Sequence, residues 1–218
     1  MNEQDPSWRN FRTIGPKKYL FRVCEVQLPA DIVPTSSFRM EEVVDRFSRV
    51  WFPHGEGSQP FWFCARQSQY KTFMNSHCDE FLEFTDALIR SKPNLPDFRR
   101  DEWLDSKIVT LAIMMDQVPR NALAIGYGRF ACADSRRVSE FIDDGPTIEF
   151  AYQILAEVDL SAIHDERVVC FFSLIFRHSN KFQEAREILL SLASHPENLP
   201  PLAARFWMET CKRELGNR

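Results

Sequence analysis

The sequence predicts an all-α protein, and three observations favour that class. Only 7 glycines occur in 218 residues, strict alternation of apolar and polar residues is rare, and apolar residues recur at helical spacing in segment after segment. With 44% hydrophobic residues and 19 phenylalanines, the chain has enough apolar material for one sizeable core. We therefore expect antiparallel helical hairpins in a compact bundle.

The N-terminal segment differs from the rest of the chain. Residues 1–35 carry Pro6, Pro16, Pro29 and Pro34, which interrupt regular structure. We expect an irregular arm at 1–35 and a single all-helical domain at 36–218.

The first predicted helix follows Ser37, a residue type that caps helix N-termini. Its apolar positions Val43, Phe47 and Val50 step at helical spacing. Pro53 and the following HGEGSQP end it.

The second predicted helix has a nearly unbroken apolar stripe and ends before SKPNLPD. The residues of this stripe are Tyr70, Phe73, Met74, His77, Phe81, Phe84 and Leu88.

A third helix is predicted from Glu102 to Gln117. Its apolar positions are Leu104, Ile108, Leu111 and Met115. Because a proline disfavours the α conformation of the residue before it, Pro119 predicts an end or a kink at Gln117 or Val118.

The remainder of the chain predicts five more helices, of which the third is apolar on all sides. That helix contains VVCFFSLIF, so we expect it at the centre of the bundle. Short connections on its C-terminal side favour antiparallel hairpins, although no 34-residue repeat is visible in the sequence. The predicted ranges are 134–142, 147–158, 166–178, 181–194 and 201–214.

Charge and composition argue against several classes of partner. A net charge of −4 disfavours binding to nucleic acid or to an anionic membrane. The N-terminus lacks the features of a secretory signal, and no apolar run reaches the roughly 20 residues that span a bilayer. Six cysteines occur singly, without a CxxC pair, which is typical of reduced thiols. We expect a soluble cytoplasmic protein.

The segment LAIMMDQVPRN, residues 111–121, resembles the signature of a helical family known as domain of unknown function 924. In that family an apolar run precedes Asp-Gln-Phe-Pro-Arg-Asn. Other matching positions are Trp51-Phe52, Trp62-Phe63, Phe130-Ala131, Asp134, Arg177-His178-Ser179 and Gln183, so the resemblance covers about residues 41–193. It implies a compact, all-helical fold similar to tetratricopeptide repeats, and no assigned activity. Departures are Val118 for an aromatic residue, Asn180 for an acid, and Ala124-Ile125 for Arg-Gly.

Asp116 is the leading candidate for a site residue because it follows the apolar stripe and should be at least partly buried. A buried carboxylate needs partners, and Arg120, Gln117 and Asn121 are the nearest polar side chains. The residues form either a structural clamp around Pro119 or, with the distant His178, part of a pocket. His178 falls at a helix C-terminus, whose dipole should raise its pKa.

Two functions remain open at this stage. The first is a small-molecule-binding protein, and specifically a cofactor-independent enzyme that uses acid–base groups in an aromatic pocket to cyclise, isomerise or eliminate from an apolar substrate. The second is a tetratricopeptide-like interaction module that binds a partner peptide or helix. The candidate catalytic residues are Asp116, Arg120 and His178, and the candidate ligand-binding residues are Gln117, Asn121, Ser179, Trp51 and Trp62.

No cofactor or metal is expected. GxGxxG, P-loop and HExxH motifs do not occur, and the spacing of Cys64, His77 and Cys78 matches no closed zinc site. Ser179 next to His178 lacks the GxSxG context of a serine nucleophile.

Overall fold

In a computed structural model, the described residues are 39–53, 59, 62, 68–91, 105–126 and 145–216. These residues form a compact all-helical bundle without strands, which confirms the predicted class. Two short 3-10 helices, Leu160–Ala162 and Pro196–Asn198, occur in connections. The α-helices of this part of the chain are α1 (Met40–Trp51), α2 (Ser68–Ser76), α3 (Cys78–Ser91), α4 (Asp105–Gly126), α5 (Gly145–Glu157), α6 (Glu166–His178), α7 (Phe182–Leu190) and α8 (Pro201–Gly216).

Helix α6 lies at the centre of the bundle, as its composition predicted. Every residue from Val168 to Phe176 is buried, and the helix packs against α4, α5, α7 and α8. Its N-terminus is capped by the side chain of Asp165, which accepts a hydrogen bond from the backbone N–H of Arg167 at 3.0 Å. The bounds of α6 coincide with the predicted range 166–178.

Aromatic side chains fill the core around the N-terminal half of α6. The ring of Phe171 makes edge contacts with Trp51, Phe52, Trp62 and Phe206 at centroid distances between 4.9 and 5.6 Å. The indole of Trp62 also donates a hydrogen bond to the Trp51 carbonyl at 3.0 Å. Edge contacts of this kind add to the stabilisation that comes from burying the rings.

The first two predicted helices need small corrections. Helix α1 begins at Met40, and Ser37 lies outside the described residues. The single stripe predicted from Tyr70 to Leu88 belongs to two helices that meet at His77. The His77 Nδ1 atom bonds to the Phe73 carbonyl at 2.9 Å. The backbone bonds of an α-helix continue on both sides of this residue, from the His77 N–H to the Phe73 carbonyl at 3.1 Å and from the Phe81 N–H to the His77 carbonyl at 3.0 Å, so the two helices follow each other directly.

Of the two outcomes predicted at Pro119, an end or a kink, the helix end is wrong, because α4 continues through the proline to Gly126. A proline inside a helix costs about 3 kcal/mol, in part because it has no N–H to donate to the carbonyl four residues earlier. Tertiary packing offsets that cost here: Ile113, Met114 and Val118 are fully buried, and Asn121 beyond the proline is 5% exposed. Local conformational preference was therefore outweighed by burial on both sides of the proline.

The C-terminal helices form successive hairpins. Helix α7 packs on α6 and α8 packs on both, and the short connections make neighbouring helices antiparallel. Helix α7 ends at Leu190, four residues before the predicted end, and α5 begins at Gly145, two residues before the predicted start. The predicted arm at 1–35 and the predicted helix at 134–142 lie outside the described residues.

Among the helices that the structure describes, none combines the length and the apolar character needed to cross a membrane.

Candidate functional site

Asp116 lies on α4, in the interior of the bundle, and its side chain contacts the C-terminal end of α6. Its side chain is 2% exposed and accepts hydrogen bonds from three side chains. Gln117 Nε2 donates to Oδ2 at 2.6 Å, and Arg120 Nε donates to Oδ1 at 3.0 Å. His178 Nδ1 lies 3.0 Å from each carboxylate oxygen. The structure therefore brings together the three residues that the sequence proposed as catalytic, although 62 positions separate Asp116 from His178.

These contacts keep Asp116 ionised. Burial by itself would raise the pKa of the carboxyl group, because the charged form loses its hydration. The charge of Arg120, together with the hydrogen bonds from His178 and Arg120, outweighs burial and holds the pKa of Asp116 well below its usual range. Asp116 is thus a permanent anion that neutralises the buried charge of Arg120.

The imidazole of His178 is neutral at pH 7. Burial lowers its pKa, the nearby charge of Arg120 lowers it further, and the opposing attraction of Asp116 is too weak to compensate, so the pKa falls to about 4. The expectation that the helix dipole raises this pKa is wrong. The dipole contributes only a fraction of a charge at the helix end, whereas burial and the guanidinium of Arg120 both disfavour the imidazolium.

The ionised carboxylate also fixes the tautomer of His178. Because Asp116 can only accept, the proton of the neutral imidazole resides on Nδ1. The second nitrogen, Nε2, then carries a lone pair, and no residue in the described part of the chain bonds to it. The side chain is 16% exposed. His178 is thus oriented at one nitrogen and available at the other.

The backbone that carries His178 ends in a defined cap. The N–H of Lys181 bonds to the Phe176 carbonyl at 2.8 Å, and the N–H of Asn180 bonds to the Arg177 carbonyl at 3.2 Å. Asn180 has a φ of 59°, the left-handed conformation that this cap requires. The cap holds the last turn of α6, and with it His178, in place against α4.

A second layer of hydrogen bonds extends from the carboxylate to α2. The Tyr70 hydroxyl donates to Asn121 Oδ1 at 2.7 Å, and Asn121 Nδ2 donates to the Gln117 carbonyl at 2.6 Å. The side chain of Gln117 in turn donates to Asp116, so Gln117 positions the carboxylate, while Asn121 connects Tyr70 to the backbone of α4. Tyr70 was interpreted from the sequence only as part of an apolar stripe. The available signal was its hydroxyl, which needs a partner when a tyrosine is buried.

Trp51 and Trp62, the candidate aromatic ligand residues, are not part of this cluster. Both pack on Phe171, two turns before His178 and roughly 10 Å from it along the axis of α6. Trp51 is 2% exposed. Ser179 is adjacent to His178 in sequence, and its buried Oγ has no hydrogen-bond partner among the described residues.

Comparison with known proteins returned no match: no family model, no curated protein and no solved structure is significantly similar to this chain. The resemblance to domain of unknown function 924 therefore stays a prediction.

Cysteines and metal-ligating side chains offer no second site in the described ranges. Cys170 and Cys211 are free thiols, and burial raises the pKa of Cys170. No group of three or more His, Cys, Asp or Glu side chains is arranged to hold a metal within residues 39–53, 59, 62, 68–91, 105–126 and 145–216.

Proposed function

We propose that Asp116 and His178 form the proton-transfer centre of an enzyme that acts on a small molecule. The observation that carries the proposal is the difference between the two ring nitrogens of His178. Nδ1 bonds to a buried carboxylate, while Nε2 bonds to none of the described residues. A histidine that only served packing would be expected to use its second nitrogen within the protein or to lie in the open solvent, whereas His178 is 16% exposed and its Nε2 bonds to no residue in the described part of the chain.

Each residue of the cluster has a distinct role in this proposal. His178 Nε2 is the general base that takes a proton from the substrate and then returns it as the general acid. Asp116 fixes the Nδ1–H tautomer and stabilises the imidazolium that forms during the reaction. Arg120 is a positioning residue that keeps the Asp116 carboxylate ionised and correctly aligned.

Removal and return of one proton is the chemistry of isomerisation, elimination and cyclisation. Such steps require no electron carrier, so we propose a cofactor-independent reaction. Trp51 is buried in the core around Phe171, so its role is in packing. The substrate is proposed to contact the exposed part of the His178 side chain instead.

A conversion screen tests this function. A metabolite extract is incubated with the wild type, with His178→Gln and with His164→Gln, and the products are analysed by mass spectrometry. His164 is an exposed histidine close to the opposite end of α6, so it provides a matched control. We expect the wild type and His164→Gln to deplete the same compound, and His178→Gln to do so at least about 100-fold more slowly, as for loss of a general base. Equal conversion by His178→Gln would refute the proposal.

The second candidate is an interaction module of the tetratricopeptide type. It is favoured by the succession of α6, α7 and α8 and by two exposed apolar residues on α8, Met208 and Leu215, which are 54% and 70% exposed. These residues are seven positions apart and share one face of the helix. Under this reading, replacing both with glutamine abolishes capture of a partner peptide, whereas His178→Gln leaves that capture unchanged.

A further inference from the structure

Arg177, the residue before His178, has a guanidinium that is not neutralised within the described part of the chain. Its Nε atom is buried without a hydrogen-bond partner, and the side chain forms neither a hydrogen bond nor an ion pair with any described residue. The guanidinium lies over the ring of Phe206 on α8, 5.8 Å from the ring centre. Among the described residues, its aromatic neighbour holds it in place and no acid does.

The charges of the described residues around Arg177 leave its own charge unbalanced. Arg213 on α8 is close enough to repel it, and the effect of that repulsion adds to that of burial, so the pKa of Arg177 falls to about 10. Glu209 is the acid of α8 that acts on Arg177, but its carboxylate forms an ion pair with Lys212 at 2.9 Å. Asp116 is also near, yet Arg120 and His178 already bond to both of its oxygens.

A partly buried guanidinium without an ion pair among the described residues is costly, because a charge that leaves water normally gains a paired acid or a set of hydrogen bonds in return. Stability alone would favour an apolar residue on Phe206. A group that is costly in the unliganded protein is expected where a ligand completes its bonding. The same turn contains a second group of this kind, since the buried Ser179 Oγ also has no partner among the described residues.

We propose that Arg177 binds an anionic group, a carboxylate or a phosphate, on the substrate of the Asp116–His178 centre. That the bound anion belongs to a substrate rests on the proposed function, whereas the presence of an anion site at Arg177 does not depend on it. A planar guanidinium presents two parallel N–H donors to such a group, which makes arginine well suited to it.

Anion binding at Arg177 would also act on the neighbouring imidazole. In the described part of the chain, the charges that face His178 are those of Arg120, Asp116 and Arg177, and both arginines disfavour its protonation. An anion held by Arg177 cancels one of the two positive charges. The pKa of His178 then rises, so that the base becomes stronger when the substrate is bound.

The experiment uses inorganic phosphate and acetate as probes at constant ionic strength. Binding to the full chain is measured by calorimetric titration, and the pKa of His178 is measured by nitrogen-15 NMR with and without the anion. The test variant is Arg177→Met, which keeps the apolar stem on Phe206 and removes the charge. Arg49→Met is the matched control, because Arg49 is an exposed arginine on α1. Arg177→Lys is a second variant, which retains the positive charge but lacks the two parallel N–H donors of the guanidinium.

We expect saturable binding of one anion and an upward shift of the His178 pKa in the wild type and in Arg49→Met. In Arg177→Met both effects disappear, while the melting temperature equals or exceeds that of the wild type. Arg177→Lys should bind at least about 10-fold more weakly, as expected when a bidentate contact is lost. Tighter binding of phosphate than of acetate, or the reverse, distinguishes the two classes of anion.

The outcomes separate the two proposals. Absence of saturable binding in the wild type, or equal binding by Arg177→Met, overturns the anion site, even if His178→Gln abolishes a conversion. Anion binding that depends on Arg177 supports the site, even if the conversion screen finds no difference between the wild type and His178→Gln. If circular dichroism shows that Arg177→Met is unfolded, Arg177→Lys takes its place. An anion affinity of Arg177→Lys equal to that of the wild type would likewise overturn the site.

Discussion

A pair of an acid and a basic residue lies at each end of α6, and the two pairs make different hydrogen bonds. At the N-terminal end, Arg167 bonds to both carboxylate oxygens of Asp165 and also donates to the Pro53 carbonyl at 2.9 Å. At the C-terminal end, His178 bonds to both oxygens of Asp116 through a single nitrogen. The first pair directs its bonds back into the protein and ties α6 to the end of α1. The second leaves Nε2 without a partner among the described residues.

The contrast separates a structural clamp from a site with unused bonding capacity. Asp165 is 37% exposed and Arg167 is 18% exposed, so water can replace part of what they lose. Asp116 is almost completely buried, and its neighbours Arg120 and His178 are 14% and 16% exposed. Burying such a cluster costs free energy, and the cluster also keeps a lone pair available. A role in proton transfer explains both features better than a role in holding two helices together.

The largest difference is expected when each acid is removed. Asp116→Ala removes the buried carboxylate to which Gln117, Arg120 and His178 all bond, and breaking a buried pair in this way costs about 4 kcal/mol of the free energy of unfolding. Asp165→Ala removes a helix cap and a partly exposed pair, for about 1 kcal/mol. Urea unfolding at pH 7 measures both. Equal losses would mean that the two clusters are energetically alike.

The second effect is a dependence of stability on pH. The pKa of His178 is about 4 when folded and 6.5 when unfolded, so the unfolded chain binds more protons between these values. The contribution of His178 is therefore complete above pH 6.5 and is lost as the pH falls towards 4, at about 1.4 kcal/mol per pH unit and about 3 kcal/mol in total.

Matched variants isolate this dependence. The difference in unfolding free energy between the wild type and His178→Gln should follow that curve, whereas His164→Gln should track the wild type. If His178→Gln showed the same slope as the wild type from pH 6.5 to 4, the buried neutral imidazole would be ruled out.

A smaller loss is expected in the second layer of the site. Tyr70→Phe removes the hydroxyl that bonds to Asn121 Oδ1 and leaves that buried oxygen unsatisfied, which costs about 1.5 kcal/mol. Tyr152→Phe is the control, since its bond to Glu184 is exposed. Chemical unfolding of both variants provides the measurement, and a larger loss for Tyr152→Phe would argue against a buried connection from α2 to α4 through Asn121.

The smallest effect is expected at the cap that follows His178. Asn180→Ala places an ordinary residue at a φ of 59°, for about 1 kcal/mol, whereas Asn180→Gly should lose less, because glycine adopts this conformation without strain. Thermal unfolding compares the two. Equal melting temperatures would show that the left-handed cap does not constrain the end of α6.

Features determined by continuous local patterns were predictable from the sequence. The range of α6 and its central place followed from the run VVCFFSLIF, and the burial of Asp116 followed from its position after an apolar stripe. The features that were predicted wrongly depend on contacts with other parts of the fold. Pro119 was judged by local preference, although burial of α4 outweighs it. The pKa of His178 was judged from its own helix, although Arg120 of α4 and burial determine it. Tyr70 was missed because its partner lies 51 positions away.

The protonation state of His178 is the most direct measure of the proposed centre. Nitrogen-15 NMR of histidine-labelled protein, with His178→Gln used for assignment, reports both the pKa and the tautomer. We expect a pKa of about 4 and a proton on Nδ1, with Nε2 unprotonated at pH 7. A pKa above 7, or a proton on Nε2 at neutral pH, would contradict the assignment of this nitrogen as the base.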